Sequence, residues 1–449
     1  MSAHRTLSRS LRRVAVGAFA ILAVTAAPAF ATTIERVISP GGVEAWLVHE
    51  PAVPLIAVDF AFSGGAIQDA EGKGGTAQLV ASLLDEGAGD LDSKAFHERL
   101  ERKAIELNFE ADRDTLRGTL RTLSANRDEA FEALRLSLTA PRFDAADIEI
   151  NRAQIMSTLR RATTSPSEIA SLRWWQTAFA GHPYGRPVAG TLESVPQITA
   201  ADLRDYVRRV MARGNLKIAV VGDIDAEALK PLLDRAFGAL PAQPELADVA
   251  NVLPQGLGRR LLTKLDVPQA VVTFGGPGLA RQDPDFMAAY VVNHILGGGA
   301  FSSRLYQEVR EKRGLAYSVY DNLVWLNHTA LFLGGTATRA DRTNETVDII
   351  EKEIHRLAET GPTAEELAKA KAYLNGAFAL NVDTSSKMAA LLVQIQRDGL
   401  DTDYFTRRPQ MIDAVTLDSA RRVAKRLLDG GLLVTVAGRP TGLATSDAE

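Results

Sequence analysis

Two stretches of the chain open on the same pattern. Pro54-Leu-Ile-Ala-Val-Asp-Phe-Ala-Phe-Ser-Gly-Gly reads as a buried strand running into a glycine turn, and Pro268-Gln-Ala-Val-Val-Thr-Phe-Gly-Gly-Pro-Gly repeats it. An alternating strand follows in each half, at residues 115–123 and 329–338, and then an amphipathic helix, at 126–139 and 342–359. Each half closes on a short apolar strand ending in glycine, at 216–222 and 432–438. Three strand matches fall in one order at offsets of 214 to 216 positions, which argues for a duplicated domain. Strands and helices do not alternate strictly, so the predicted class is α+β: two homologous domains, each a mixed β-sheet with helices packed on it. The expected boundaries are a first domain at 32–239, a linker at 240–258 with three prolines, a second domain at 259–440 and a tail at 441–449.

Residues 1–31 read differently. Arg5, Arg9, Arg12 and Arg13 precede an apolar run at 14–27, and Ala29-Phe30-Ala31 supplies a small-x-small cleavage site. The run is shorter than the ~20 residues a spanning helix needs, so a signal peptide and a periplasmic product are expected. Cleavage after Ala31 leaves 449 − 31 = 418 residues and takes the net charge from −4 to −8. Such a surface offers no net positive field to nucleic acid. The chain has no cysteine, which excludes disulfides, thiolate nucleophiles and Cys-ligated metals; any metal would rest on the seven histidines and the carboxylates.

Two segments hold candidate chemistry. Residues 74–87 predict a long amphipathic helix opening after Gly74-Gly75. Residues 296–320 predict a glycine-rich loop (Gly297, Gly298, Gly299), a helix capped near Ser302 and stopped at Gly314, and a strand from about Ala316. Arg310 falls in the last turn of that helix and Tyr317 enters the strand. Pattern alone makes Arg310 a helix-dipole partner and Tyr317 a half-buried strand aromatic.

The stretch 297–320, the segment His182-Pro183-Tyr184-Gly185-Arg186-Pro187 with Gly190-Thr191, and Val220-Val221-Gly222-Asp223 together resemble the pitrilysin/insulinase family of zinc metallopeptidases, particularly members similar to mitochondrial processing peptidase subunits. Active members carry H-x-x-E-H, where two imidazoles on one helix face and a distant glutamate hold zinc and the motif's own glutamate activates water. Here those positions fall on Gln78, Leu79, Val80, Ala81 and Ser82, and the downstream glutamate falls on Thr158. Neutral oxygens and a methyl group cannot replace imidazole and carboxylate, so no zinc is expected on this chain. The resemblance also implies an R-x6-Y pair, which Arg310 and Tyr317 match. In two-subunit members that pair comes from the zinc-free subunit and binds the scissile carbonyl in trans. Gly297–Gly299 would then handle substrate, and Asn108, Phe109 and Glu110 would lie on a strand that pairs with extended peptide. The implied function is a non-catalytic subunit of a heterodimeric zinc metalloendopeptidase, with the zinc in a homologous partner and peptide or unfolded polypeptide as substrate. A catalysis-free peptide-binding or assembly protein of the same fold is the alternative.

Overall fold

The computed structural model describes residues 33–446 apart from Asn381 and Ala444; the expected signal peptide lies outside the described residues. In the first half the strands are β1 (Glu35–Ile38), β2 (Glu44–His49), β3 (Leu55–Ser63), a two-residue pair β4 (Gly87–Ala88) and β5 (Leu91–Asp92), β6 (Glu106–Ala111), β7 (Thr115–Leu123) and β8 (Leu216–Gly222). In the second half they are β9 (Arg260–Lys264), β10 (Gln269–Pro277), β11 (Ala316–Trp325), β12 (Ala330–Arg339) and β13 (Leu433–Gly438).

One sheet runs β1-β2-β8-β3-β7-β6 and the other β9-β13-β10-β12-β11. Setting β1 aside, the two orders superpose strand for strand, and in each the single parallel pair is the corresponding one, β2 with β8 and β9 with β13. The duplication read from three strand matches therefore extends to five. The closing glycines also correspond. Gly222 has φ +144 and Gly438 φ +153, and a Cβ would meet Ile56 Cα at 2.9 Å in the first case and Ala270 Cβ at 2.7 Å in the second. Only glycine lets these strands end hard against β3 and β10.

The central strand β3 is buried on both faces and divides its side chains by size. Ile56, Val58, Phe60 and Phe62 point into a core with Phe131, Leu134 and Phe237 from the first half's own helices. Ala61 on the other face, with Trp46, Ala219 and Val221 from neighbouring strands, packs against Ala389, Leu392, Val393 and Ile395. Those last four belong to helix Ser385–Arg397, which comes from the second half of the chain. The second sheet returns the arrangement. Its outer face receives Trp174, Trp175 and Ala178 from helix Pro166–Ala178 of the first half, packed on Leu261, Leu331 and Leu433. Small residues make room: a Cβ on Gly275 would stand 3.1 Å from the Trp174 ring.

Each visiting helix is tied by hydrogen bonds to the strand it covers. Trp174 Nε1–H donates to Leu433 O at 3.0 Å and Thr435 Oγ1 to Ala170 O at 2.8 Å; Gln396 Nε2 donates to Ile218 O at 2.9 Å. Burying an indole with its N–H satisfied places a large apolar area at the join without an orphaned donor. Residues 240–258 carry no helix or strand, yet they are fastened to both halves, Glu245 N–H to Arg209 O and Val252 N–H to His328 O. The described residues from Ile34 onward consequently form one compact unit.

Trp174→Ala should cost about 3–5 kcal/mol of unfolding free energy, the range for truncating a fully buried aromatic. In a urea titration followed by far-UV circular dichroism, the transition should move to lower urea and stay single. Two separated transitions would show that the halves do not depend on the exchanged helices.

Candidate functional site

The segment after Ser303 is helical, as the sequence predicts, but residues Tyr306–Glu311 form a π-helical stretch rather than an α-helix. Its end is a left-handed (αL) glycine cap. Leu315 N–H donates to Val309 O at 2.9 Å, Gly314 N–H donates to Arg310 O at 2.8 Å, and Gly314 takes the left-handed φ of +59 that the stop requires. The chain then enters β11 through a bulge, where the register against β12 shifts between Ala316 and Val319. A bulge re-aims side chains, and here Tyr317 and Ser318 are both exposed, Tyr317 at 82%. Threonines of β12 brace it: Thr338 Oγ1 donates to Leu315 O and Thr336 Oγ1 to Ser318 O, each at 2.7 Å.

These two irregularities bring Arg310 and Tyr317 together. The Arg310 guanidinium carbon lies 4.4 Å from the Tyr317 ring centroid and 4.9 Å from that of Tyr306, so the cation rests against two aromatic faces. Its basic neighbours are committed to carboxylates. Arg304 pairs with Glu366 at 2.7 Å, and Lys312 and Arg313 both pair with Glu308 at 2.6 Å. Burial would raise Glu366, yet the Arg304 fork and the Thr363 N–H hold it at about 2. Among the described residues Arg310 makes no ion pair, so its N–H groups remain available to a ligand carbonyl. Tyr306 was not singled out by the sequence; only its place four residues before Arg310 could have marked it.

The glycine-rich segment is not a loop. His294–Gly298 forms a π-helical turn. No glycine there takes a positive φ; the left-handed residue is Ala300, at φ +44. Close packing explains the composition instead. A Cβ on Gly297 would collide with Asp321 Oδ1 and lie 2.8 Å from Asp321 N, and one on Gly299 would lie 2.6 Å from His294 O. Gly297 is buried while Gly298 is exposed. Beneath the turn, Asp321 is fully buried. Its Oδ2 accepts from Asn293 Nδ2 at 2.7 Å, its Oδ1 has no partner, and burial pushes its carboxyl well up against the pull of that one bond.

In the first half, the helix predicted over 74–87 is shorter, Thr76–Ala81, and gives way to turns before Gly87 at φ +106. Asp69 anchors its start, accepting from Gly75 N–H and Ala77 N–H at 2.8 and 2.9 Å, while burial raises its carboxyl to about 7. Leu79, Val80 and Ala81 are core, Gln78 is half-buried, and Ser82 Oγ donates to Leu79 O at 3.0 Å. Thr158 is exposed on helix Ala145–Ala162 and accepts from Arg161 Nη2 at 3.0 Å, so a cation stands beside the position at which the resemblance leads one to expect a metal-binding carboxylate. This donor set does not fit zinc. Among the described residues no group of three or more His, Asp or Glu is arranged to hold a metal.

Asn108, Phe109 and Glu110 lie on β6, at the edge of the first sheet. Phe109 packs edge-on against Phe60 at 6.2 Å, and exposed Glu110 pairs with Arg117 at 3.0 Å. The strand and the former metal positions lie in the other half of the chain from Arg310 and Tyr317. The His182 segment serves the join between halves: Tyr184 Oη donates to Asp114 Oδ1 at 2.7 Å, Asp114 Oδ2 accepts from Asn327 N–H at 2.7 Å, and His328 N–H donates to Tyr184 Oη at 3.1 Å.

Asp321 gives the site a pH dependence whose sign is fixed. Its folded pKa is raised, so its contribution to stability is whole below the unfolded value of about 4 and is lost as pH rises toward the folded one. The unfolding free energy of Asp321→Asn relative to wild type should therefore climb as pH rises from about 4 to 8, measured by urea titration at each pH. A difference that stays flat with pH would contradict this.

The chain matches two family models, insulinase (peptidase family M16) over residues 46–192 and the peptidase M16 inactive domain over residues 197–374. It is 30% identical over 337 residues to the non-peptidase homolog YmxG of Helicobacter pylori, covering 74% of this chain and 77% of that protein. A probable mitochondrial-processing peptidase subunit beta of Schizosaccharomyces pombe is 25% identical over 441 residues, 94% of each chain. The crystal structure of a peptidase M16 inactive domain from Pseudomonas fluorescens superposes with a TM-score of 0.86 at 26% identity, over 93% of this chain and 100% of that one. With these matches along both halves, among them an inactive-domain model and a non-peptidase homolog, the chain belongs to the insulinase family, peptidase family M16, as a non-catalytic member.

Proposed function

We propose that this protein is an exported, zinc-free subunit that completes a peptidase formed with a homologous chain carrying H-x-x-E-H. The observation that carries the reading is the contrast between the two halves. The metal positions have lost every strong ligand, while Arg310 and Tyr317 stay assembled at the surface with their hydrogen-bond donors uncommitted. A peptide laid across the partner's site would place its scissile carbonyl within reach of the Tyr317 hydroxyl and the Arg310 N–H groups. Both donate to the oxygen, and both bind it more strongly as negative charge grows there. The similarity to a chain named as a processing-peptidase subunit supports assembly with a partner. Among the described residues no helix is long and apolar enough to cross a membrane.

Three mixtures test this, each pairing the purified partner with wild type, Arg310→Ala or Tyr317→Phe. Loss of one donor to a developing oxyanion should lower kcat about 100- to 1,000-fold, with a smaller effect on KM. Full activity with either variant would sink the proposal, and an assembly protein without a catalytic contribution would give that result. Export has its own check. Periplasmic protein should begin at Thr32 by N-terminal sequencing, and recovery of an intact residue 1–31 segment on soluble cytoplasmic protein would refute it.

A further inference from the structure

A cleft of ≈ 730 Å³ in the first half has no part in the peptidase reading. It opens between helices Ala145–Ala162 and Pro166–Ala178 and the segment 187–193, bordering Thr158. Its volume lies within the ordinary range for small-ligand sites. Trp175 and Arg113 form part of its wall, with the guanidinium carbon 3.6 Å above the indole centroid.

Arg113 is a cation without a counter-ion. Its one hydrogen bond among the described residues is a long one, Nε–H to Tyr184 O at 3.5 Å. The nearby carboxylates are committed elsewhere. Asp114 accepts from Tyr184 Oη and Asn327 N–H, and Asp112 accepts from Asp114 N–H, Thr115 N–H and Thr115 Oγ1. Burial lowers Arg113 to about 10 despite the attraction of Asp114 and Asp112. A desolvated guanidinium stacked on an indole keeps its edge N–H groups in one plane, the geometry that takes a carboxylate in a two-pronged fork. Among the described residues the Arg161 guanidinium, on the same cleft, bonds only to the neutral Ser157 and Thr158 hydroxyls.

The rest of the wall narrows the ligand. Leu159, Ile169 and Leu172 give it an apolar side. Glu168 and Glu193 are exposed on it and are in no ion pair among the described residues, so a polyanion would be repelled while a ligand with a single inner negative charge would not. We propose that this cleft binds the C-terminal carboxylate of a peptide ending in an apolar residue. Arg113 takes the carboxylate and the apolar side takes the last side chain. Peptide N–H groups suit the outer carboxylates better than a hydrocarbon tail does. This inference does not rest on the role given to Arg310 and Tyr317.

Calorimetric titration of the full chain with N-acetyl-Ala-Ala-Leu, as free acid and as C-terminal amide, tests it. The acid should bind, and the amide should bind about 10- to 100-fold more weakly, the worth of a charge-assisted hydrogen bond. Arg113→Gln should remove that preference. Leu172→Glu, a change at a partly exposed position that adds a third carboxylate, should weaken the acid and keep the fold if Arg113→Gln does not fold. Arg310→Ala should leave binding unchanged, which separates this result from the fate of the peptidase proposal. Equal binding of acid and amide, undiminished acid binding by both cleft variants, no binding of either peptide, or laurate binding in place of the peptides would overturn it.

Discussion

The reciprocal exchange of two helices is the constraint on which this molecule depends. Each sheet has one face filled by its own half's helices and the other by a helix that the chain has carried across from the opposite half. Neither sheet could leave that second face in water. β3, β8, β10 and β13 are buried almost end to end, and an exposed face of that kind would be a wide apolar surface. The duplication supplied two equivalent sheets, and the exchange made them inseparable. Trp174 bonds to β13 and Gln396 to β8, the two strands that the internal repeat makes equivalent.

A rigid join allows irregular features elsewhere. The π-helical stretch over Tyr306–Glu311 and the bulge at Tyr317 interrupt the regular hydrogen-bond pattern beside each other. Both are braced, one by the left-handed cap at Gly314 and the other by hydroxyls of β12. Together they turn a tyrosine outward from the start of a strand and lay an arginine between two rings. Helix and strand of regular geometry would have left Tyr317 with the alternation of its strand, and Arg310 facing solvent among acids as its neighbours do.

In the first half, the positions that the family resemblance marks for metal are held by an ordinary packed scaffold. Asp69 secures the short helix and Leu79 and Val80 fill the core beside it. Two of the side chains at those positions close local hydrogen bonds, Ser82 to Leu79 and Thr158 with Arg161. Arginine beside Thr158 reverses the local charge a divalent cation would need. The same reversal gives the adjoining cleft a cationic wall at Arg113 and Arg161.

The sequence alone determined what short-range pattern can carry. Apolar runs and glycine stops marked the repeated strands and Gly314 marked a helix end, because each of these signals lies within a few residues; the chemistry of Gln78, Ala81, Ser82 and Thr158 is likewise read from single residues. Only the tertiary structure decided the rest. Periodicity says that a helix has an apolar face but not whose sheet will cover it, so the crossing of Pro166–Ala178 and Ser385–Arg397 was invisible. The glycines at 297–299 suggested a loop, whereas Gly297 answers to the approach of Asp321 from a strand more than twenty residues later and Gly299 to His294 O one turn before it. Arg113 over Trp175 and Tyr184 on Asp114 join positions 62 and 70 residues apart, whose meeting is set by packing across the whole fold rather than by any local preference.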